Sequence, residues 1–387
     1  MTLKEEFEIL RGEPIEVLTG DPMDIPCIET SDPEKLYKHP VVSVHMITYN
    51  HEPYIRQAIG GVMMQKTEFE FELVIGEDAS QDKTREICFE YQKKYPDKIR
   101  VLWSEYNVGV NGNLSRTLAR CRGEYIAFCE GDDYWTDPLK LQKQVDVMRQ
   151  HLNAGLCLTG AEILAEDGTT IGPWTAPDFF ARSCMPGKEF CLYHLNGCKP
   201  TGFEGNEAFV MTASALIRKT VLEAVEKKFE IFRWRLRLND STCWLGIAAN
   251  SDVCFLQDRT TVYRRTTTGA CSSSRGGVWL DSFLVRFYFM FKVFALGPEA
   301  FAGKMRGQYY QVWISRKDLT QKQLRERIDS VELLGGVYSG LIGRLFKLYV
   351  RHGTGSKFFT HVMMALLKRW SYESASCNLD EIYKVCR

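Results

Sequence analysis

Four consecutive residues, Glu130, Gly131, Asp132 and Asp133, place three carboxylates around one glycine where a short apolar run, Tyr125 to Cys129, stops. Carboxylates packed this closely repel one another unless positive charge sits among them. Hard oxygen donors at that density suit Mg2+ or Mn2+, ions that usually finish their shell with substrate phosphates instead of a closed protein cage. Glycine at 131 lets the backbone bend and lets a bulky group come close. The plainer alternative is a solvated acidic turn before a helix, with Asp137 as N-cap and Pro138 in the first helical position.

The surrounding elements weigh toward the first reading. VVSVHMI, ending at Ile47, is nearly continuous and β-branched, as in a strand buried on both faces. TYNHE then forms a loop, and Tyr54, Ile55, Ala58, Ile59 and Val62 recur at helical spacing. The unit repeats: FELVIGE (Phe71 to Glu77) as a second strand, DASQD as its loop, Lys83 to Tyr95 as a helix. IRVLW (Ile99 to Trp103) is a third strand, SEYNVGVNGN a polar loop, and Leu114, Leu118 and Cys121 mark the next helix. EYIAFC is the fourth strand. This rhythm predicts an α/β fold, a single doubly wound and mainly parallel sheet with helices on both faces. Such sheets bind ligands beyond the carboxyl ends of their strands. There the chain puts Thr48, Tyr49, Asn50 and Glu52, then Asp78, then Asn107, Gly109 and Asn113, then the acidic turn. Loops are polar in general, but Asp78, Glu130, Asp132 and Asp133 end apolar strands, where an unpaired carboxylate is costly.

Further along, Leu139 to Gln150 reads as a helix with Leu141, Val145 and Met148 inward, and GLCLTGAEIL as a strand. Residues 172 to 206 read as an irregular, substrate-shaping region, AFVMTASALI as a strand followed by a helix to about Phe229, and Asp240 as the opening of another helix. DVCFLQ and TTVYRR read as two closing strands, and the chain from Trp279 as mostly helical.

The formal net charge is zero, so no basic field argues for nucleic acid. Thirteen cysteines without framework spacing, after an acidic start unlike a secretory leader, suggest reduced thiols and a cytoplasmic protein. Cys184, Cys191, His194 and Cys198 are enough in number to hold zinc, but their spacing is not a usual zinc pattern, and the cysteines read rather as unlinked thiols. His45 alternates into its strand as a packed side chain, whereas His51 lies in the first loop. Trp279 to Gly297 is interrupted by Asp281, Arg286 and Lys292 and does not read as a membrane span. Two basic amphipathic stretches, around Leu341 to Arg351 and Phe358 to Trp370, can pack on the domain or on a second subunit, or can lie on anionic lipid at the inner face of the plasma membrane.

The words VVSVHMITYNHEPYI, LVIGEDASQDKTREIC, NVGVNGNLSRTL and GEYIAFCEGDDYWTDPLKLQKQ together resemble glycosyltransferase family 2 of the GT-A fold, in particular bacterial enzymes of O-antigen and capsular polysaccharide synthesis. The likeness is close from about Pro40 to Gln150 and weaker to Arg265. It implies an inverting, metal-dependent transferase acting on a nucleotide-diphosphate sugar, with uridine the expected base, and on a glycan or lipid-linked glycan acceptor. Thr48, Tyr49, Asn50 and Glu52 would line base and ribose, Asp78 would accept a hydrogen bond from the base, and Asn107, Gly109 and Asn113 would complete the nucleotide-sugar site. Glu130-Gly131-Asp132-Asp133 stands where the family has its DxD motif. Asp132, as principal ligand with Asp133, would hold Mn2+ or Mg2+, and Glu130 would face the ribose or a group just outside the metal's ligands. Arg264 and Arg265 would approach the diphosphate. Asp240 is the expected base, with Asp252 and Asp258 as competitors and a simple helix cap as its plain alternative. The resemblance divides the chain into an extension (1–39), a transferase domain (40–270) with a nucleotide half to residue 150 and an acceptor half beyond it, and a helical tail (271–387) able to serve membrane contact or a homo-oligomer. Two other functions fit less well. A nucleotidyltransferase wants a glycine-rich basic loop after the first strand, which TYNHEPYI is not, and a noncatalytic binding module would not need the acids.

Overall fold

In the computed structural model most of residues 14–266 are described, apart from 175–182, 196–209 and 237–239, together with scattered positions before 14 and between 281 and 294. The basic amphipathic stretches of the tail lie outside the described residues. Strands β1 (Ile28–Thr30), β2 (Val42–Thr48), β3 (Phe71–Glu77), β4 (Ile99–Trp103) and β5 (Tyr125–Phe128) alternate with helices α1 (Ile55–Met63), α2 (Thr84–Lys94) and α3 (Gly109–Ala119). The second half carries β6 (Tyr134–Trp135), α4 (Lys140–Gln150), β7 (Ala154–Ala165), β8 (Thr170–Trp174), β9 (Cys184–Met185), α5 (Gly187–Leu195), β10 (Leu216–Arg218), α6 (Lys219–Lys228), α7 (Asp240–Ala248) and β11 (Asp252–Arg265).

Among the described residues, eleven strands form one sheet in the order β1-β4-β3-β2-β5-β10-β7-β11-β6, with β8 on β7 and β9 on β11. The β4-β3-β2-β5 block is parallel, as is β7 with β11, while β1, β6, β8, β9 and β10 join antiparallel. Strand alternation sorts side chains to two cores. Leu73, Ile75 and Val101 face one with Val44 and Met46, whereas Val74, Leu102, Ile126 and Phe128 face the other. Burial on both faces is what makes these strands read as unbroken apolar runs.

Several sequence expectations are corrected. The described part of the extension (1–39) packs on the domain: β1 is an edge strand on β4, Ile15 is buried, and Phe7 packs edge-on to Trp234 at 5.5 Å. Helix α3 starts at Gly109, inside the stretch read as a loop, and buries Asn113, Arg116 and Thr117 while Leu114 and Leu118 are only half-buried. Within AFVMTASALI the described part is a single 3-10 turn (Thr212–Ser214) and the short β10, wedged antiparallel between β5 and β7. The two expected closing strands are one, β11, whose register slips between Leu256 and Thr261. Such bulges break the apolar alternation and imitate a turn in the sequence. Cys184 and Cys254, register partners on β9 and β11, are joined as a disulfide, against the expectation of thiols throughout; Cys191 is a buried thiol against the Leu245 carbonyl. Among the described residues no helix is long and apolar enough to cross a membrane.

At the amino end of the sheet, Glu72 is fully buried. It accepts hydrogen bonds from the Ser43 hydroxyl (2.7 Å), Arg122 Nε (2.8 Å) and Arg100 Nη1 (3.3 Å), and Arg100 also grips Glu29 of β1 (2.8 and 2.9 Å). Removing one partner of a buried pair strands the other charge, which typically costs about 3–5 kcal/mol, whereas a partly exposed pair is worth about 1 kcal/mol or less. Glu72→Ala is therefore expected to destabilise the protein in urea unfolding several-fold more than Glu29→Ala, and equal effects would remove this reading of the network.

Candidate active site

Beyond the carboxyl ends of β2 and β3, two loops are stitched into one ledge. Asn50 adopts a left-handed φ of 55°. Its N–H donates to the Ser80 hydroxyl (3.0 Å) and its Oδ1 accepts from the Gln81 N–H (2.8 Å). Glu52 gives its N–H to Asp82 (3.0 Å) and receives the Lys83 N–H (3.1 Å), and the His51 N–H donates to Thr84 Oγ1 (2.8 Å). Asn50 and Glu52 thus hold the ledge together, and Tyr49 is the side chain it presents outward, 43 % exposed.

Asp78, at the end of β3, is buried. Its Oδ1 accepts the Val108 N–H (2.8 Å) at the start of α3, and the Arg116 guanidinium lies 3.7 Å away. Burial raises its pKa against these favourable partners. Asn107 Nδ2 donates to the Asp78 carbonyl (3.0 Å) and its Oδ1 accepts from Gly109 N–H (2.8 Å), where Gly109, at φ 80°, opens the helix. Asn113, expected at the ligand, is turned the other way. Its amide donates to Gly76 O (2.7 Å) and accepts from Arg116 Nε (3.0 Å), seated where a Cβ on Gly76 would come within 2.6 Å of it.

The acidic turn closes onto the first loop. Gly131 N–H donates to Ile47 O (3.0 Å), and a Cβ at this position would stand 2.6 Å from Thr48 Oγ1 and 2.8 Å from His51 Nδ1. Close approach, not a special dihedral, is what requires glycine here. Asp133, expected beside Asp132 at a cation, is buried and accepts the Arg264 backbone N–H (2.9 Å), while burial and the neighbouring acids push its pKa well above the carboxylate range. Glu130 and Asp132 are therefore the acids left to meet a ligand. Glu130 Oε2 is buried with no hydrogen-bond partner, and burial, then Asp132, then Asp240 raise its pKa to about 8. Asp132 is partly open, its Oδ2 3.9 Å from His51 Nε2.

Arg264, expected near a diphosphate, is occupied by protein. Its Nη1 donates to Asp132 O (2.6 Å) and its Nη2 to Gln57 Oε1, and the guanidinium lies between the rings of Tyr54 (5.1 Å) and Tyr134 (4.5 Å). It clamps the turn to α1. Arg265, the last paired residue of β11, is half-buried opposite Ala165. Asp240 is the first residue of α7, its Oδ1 accepting the Ser241 N–H (2.5 Å), and burial raises its pKa to about 6. Trp244 seats this helix edge-on against Phe128 of β5 (5.4 Å), which brings Asp240 within charge range of Glu130. Asp252 starts β11 at the end opposite Arg264, and Asp258 pairs with Lys143 (2.6 Å) at the surface, so neither competitor base joins the cluster. His45 is buried with its ring near Phe128, and burial lowers its pKa to about 4. Gln57, Tyr54, Tyr134 and Arg116 were not singled out by sequence; only their helical spacing and neighbourhood to the motif words could have suggested them.

Among the described residues no three His, Cys, Asp or Glu side chains converge on a point able to hold a metal. An orphaned carboxylate oxygen on Glu130 beside an open Asp132 nevertheless fits a hard cation that arrives with ligands of its own.

Residues 43–223 match the model of the family Glycosyl transferase family 2. It is 46 % identical over 127 residues, 33 % of this chain and 37 % of the relative, to the uncharacterized protein Rv1520 of Mycobacterium tuberculosis. It is 31 % identical over 137 residues, 35 % of this chain and 51 % of the relative, to the UDP-Glc:alpha-D-GlcNAc-diphosphoundecaprenol beta-1,3-glucosyltransferase WfgD of Escherichia coli. The chain thus spans between about a third and a half of the length of these curated relatives. The crystal structure of S. aureus TarS shares the fold, with a TM-score of 0.54 at 16 % identity over 82 % of this chain and 53 % of TarS.

Two outcomes follow from the geometry. Gly131→Ala, forced against Thr48 and His51, is expected to weaken binding of a nucleotide diphosphate at least tenfold in calorimetric titration with little change in the far-UV spectrum; unchanged affinity would count against the close approach. Glu130 and Asp240 hold protons more tightly folded than unfolded, so the stability they confer is complete below about pH 4 and is lost as pH rises, through about 6 for Asp240 and about 8 for Glu130. The metal-free melting temperature is expected to fall between pH 5 and 9, and Glu130→Gln to flatten the upper part of that fall.

Proposed function

We propose that this chain is an inverting, cation-dependent glycosyltransferase that moves a sugar from a nucleotide diphosphate to a hydroxyl of a glycan or lipid-linked glycan acceptor in bacterial surface polysaccharide synthesis. The observation that carries the reading is the closeness of unlike carboxyl environments: Glu130 and Asp132 on the turn after β5, and Asp240 at the start of α7, near enough for its charge to raise the Glu130 pKa. The ledge of Thr48 to Glu52, with exposed Tyr49, suits a base and ribose; Asp78 and Asn107 stiffen its far side. UDP is the expected nucleotide and an undecaprenyl-diphosphate glycan the expected acceptor class, as in the name of WfgD. A cytoplasmic enzyme at the inner face of the membrane fits such an acceptor.

In this reading Asp132, supported by Glu130, holds Mn2+ or Mg2+, which supplies charge stabilisation for the departing diphosphate. Arg264 keeps Asp132 in place through its carbonyl. Asp240 accepts the proton of the attacking hydroxyl. A pKa of about 6 makes it mainly ionised at neutral pH yet a stronger base than an ordinary aspartate, close to what general-base catalysis favours. One base on the face opposite the leaving group gives a single displacement, hence inversion.

A screen of nucleotide-sugars with Mn2+ identifies the donor, and Asp240→Asn tests the base. Turnover is expected to fall about 10²–10⁴-fold with donor affinity unchanged, and wild-type kcat/KM to rise with pH through about 6. Full turnover in Asp240→Asn would place the base elsewhere, and chelator-insensitive transfer would end the cation-dependent reading.

A further inference from the structure

His51 has no role in the mechanism above, yet it reaches the acidic turn from a different strand end. Its Nε2 lies 3.9 Å from Asp132 Oδ2. That separation is too long for a hydrogen bond but shorter than two metal–ligand bonds end to end, about 4.2 Å for ions of this class. A single ion can therefore touch both atoms. The ring is not free to wander. Nδ1 stands 3.2 Å from Thr48 Oγ1, the N–H of the same residue donates to Thr84 Oγ1 (2.8 Å), and Gly131 passes so close that a Cβ there would come within 2.8 Å of Nδ1. Fixing one ring nitrogen so that the other points at a ligand position is how proteins orient a metal-binding imidazole. Close enough to feel the Asp132 charge, Glu130 Oε2 is a buried oxygen with no partner.

The geometry points to His51 as a direct ligand of the catalytic cation, paired with Asp132 as a two-point protein site that the nucleotide diphosphate completes. This rests on the proposed reading of the turn as a cation site and deepens it. The pairing agrees with the lack, among the described residues, of a preformed three-ligand cluster. It also gives the site a chemical preference: one imidazole among oxygens favours Mn2+ or Co2+ over Mg2+, which binds nitrogen poorly.

The test is pulsed electron paramagnetic resonance of Mn2+ bound to the full chain with UDP, together with Mn2+ titration of wild type, His51→Ala and Asp132→Ala. Wild type is expected to show the coupling of a directly bound imidazole nitrogen. His51→Ala is expected to lose that coupling and to bind Mn2+ at least tenfold more weakly, with its Mn2+ preference over Mg2+ reduced. Bound Mn2+ without nitrogen coupling in wild type, or coupling that survives in His51→Ala, overturns the assignment while leaving the cation site at Asp132 standing. Unaltered Mn2+ affinity in Asp132→Ala, or none in wild type, overturns the cation site itself and the assignment with it. Because the decisive signal is read on wild type, a His51→Ala protein that fails to fold does not blunt the test.

Discussion

Taking a carboxylate out of water is expensive, and this molecule concentrates that expense at one edge of a sheet buried on both faces. Glu77, Asp78, Glu130, Asp133 and Asp240 all sit at or next to strand or helix ends where apolar packing has excluded solvent. Each is answered differently. Glu77 is met by Arg85 (2.5 Å), Asp78 by the Val108 N–H with Arg116 at 3.7 Å, Asp133 by the backbone of Arg264, and Asp240 by the Ser241 N–H. Glu130 is the exception, with one oxygen left without a partner, and burial, then the Asp132 charge, raises its pKa. The neighbouring acids are satisfied within the protein, and this one is left short.

The supporting parts are arranged around that deficit. Arg116 is fully buried and ties together Glu77 O, Asn113, the Ser104 hydroxyl and Pro26 O, so the N-terminal segment, β3 and α3 are fixed as one body behind Asp78. On the other side Arg264, sandwiched by two tyrosines, fastens the acidic turn to α1. These two arginines bind protein groups on either side of the acidic turn and Asp78. Behind the turn, Lys140 lies buried over the Trp135 ring (4.4 Å) with Gln144 Oε1 at 2.6 Å, and burial brings its pKa down to about 7. The turn is thus packed from three directions, which keeps the carboxylates at a defined separation despite their repulsion.

Much of this was legible in the residues. The β2, β3, β4 and β5 runs are two-sided and apolar, so their period and order announce a parallel sheet, and the ligand loops then follow from topology. The acidic turn stood out because charge interrupts an apolar strand. Other features left no comparable mark. Asn113 and Glu52 look like ligand groups by type, yet a single helical or loop rotation aims them at the protein. The bulge in β11 imitates a turn, and the arm before residue 40 carries too few periodic residues to reveal that Phe7 and Ile15 are core.

By itself the sequence determined the α/β architecture, the polar and acidic strand ends, and the family model that residues 43–223 match, because these depend on local periodicity and on contiguous motif words. The tertiary structure alone decided which polar side chains face the cleft and which serve as struts. Arg264 turned out to be a clamp, Asp133 an inward acid, and His51 the neighbour of Asp132. The physical reason is that a side chain's partner is set by contacts between segments tens to hundreds of residues apart, and hydrogen-bonding capacity, unlike hydrophobic period, carries no record in the chain of where it will be used.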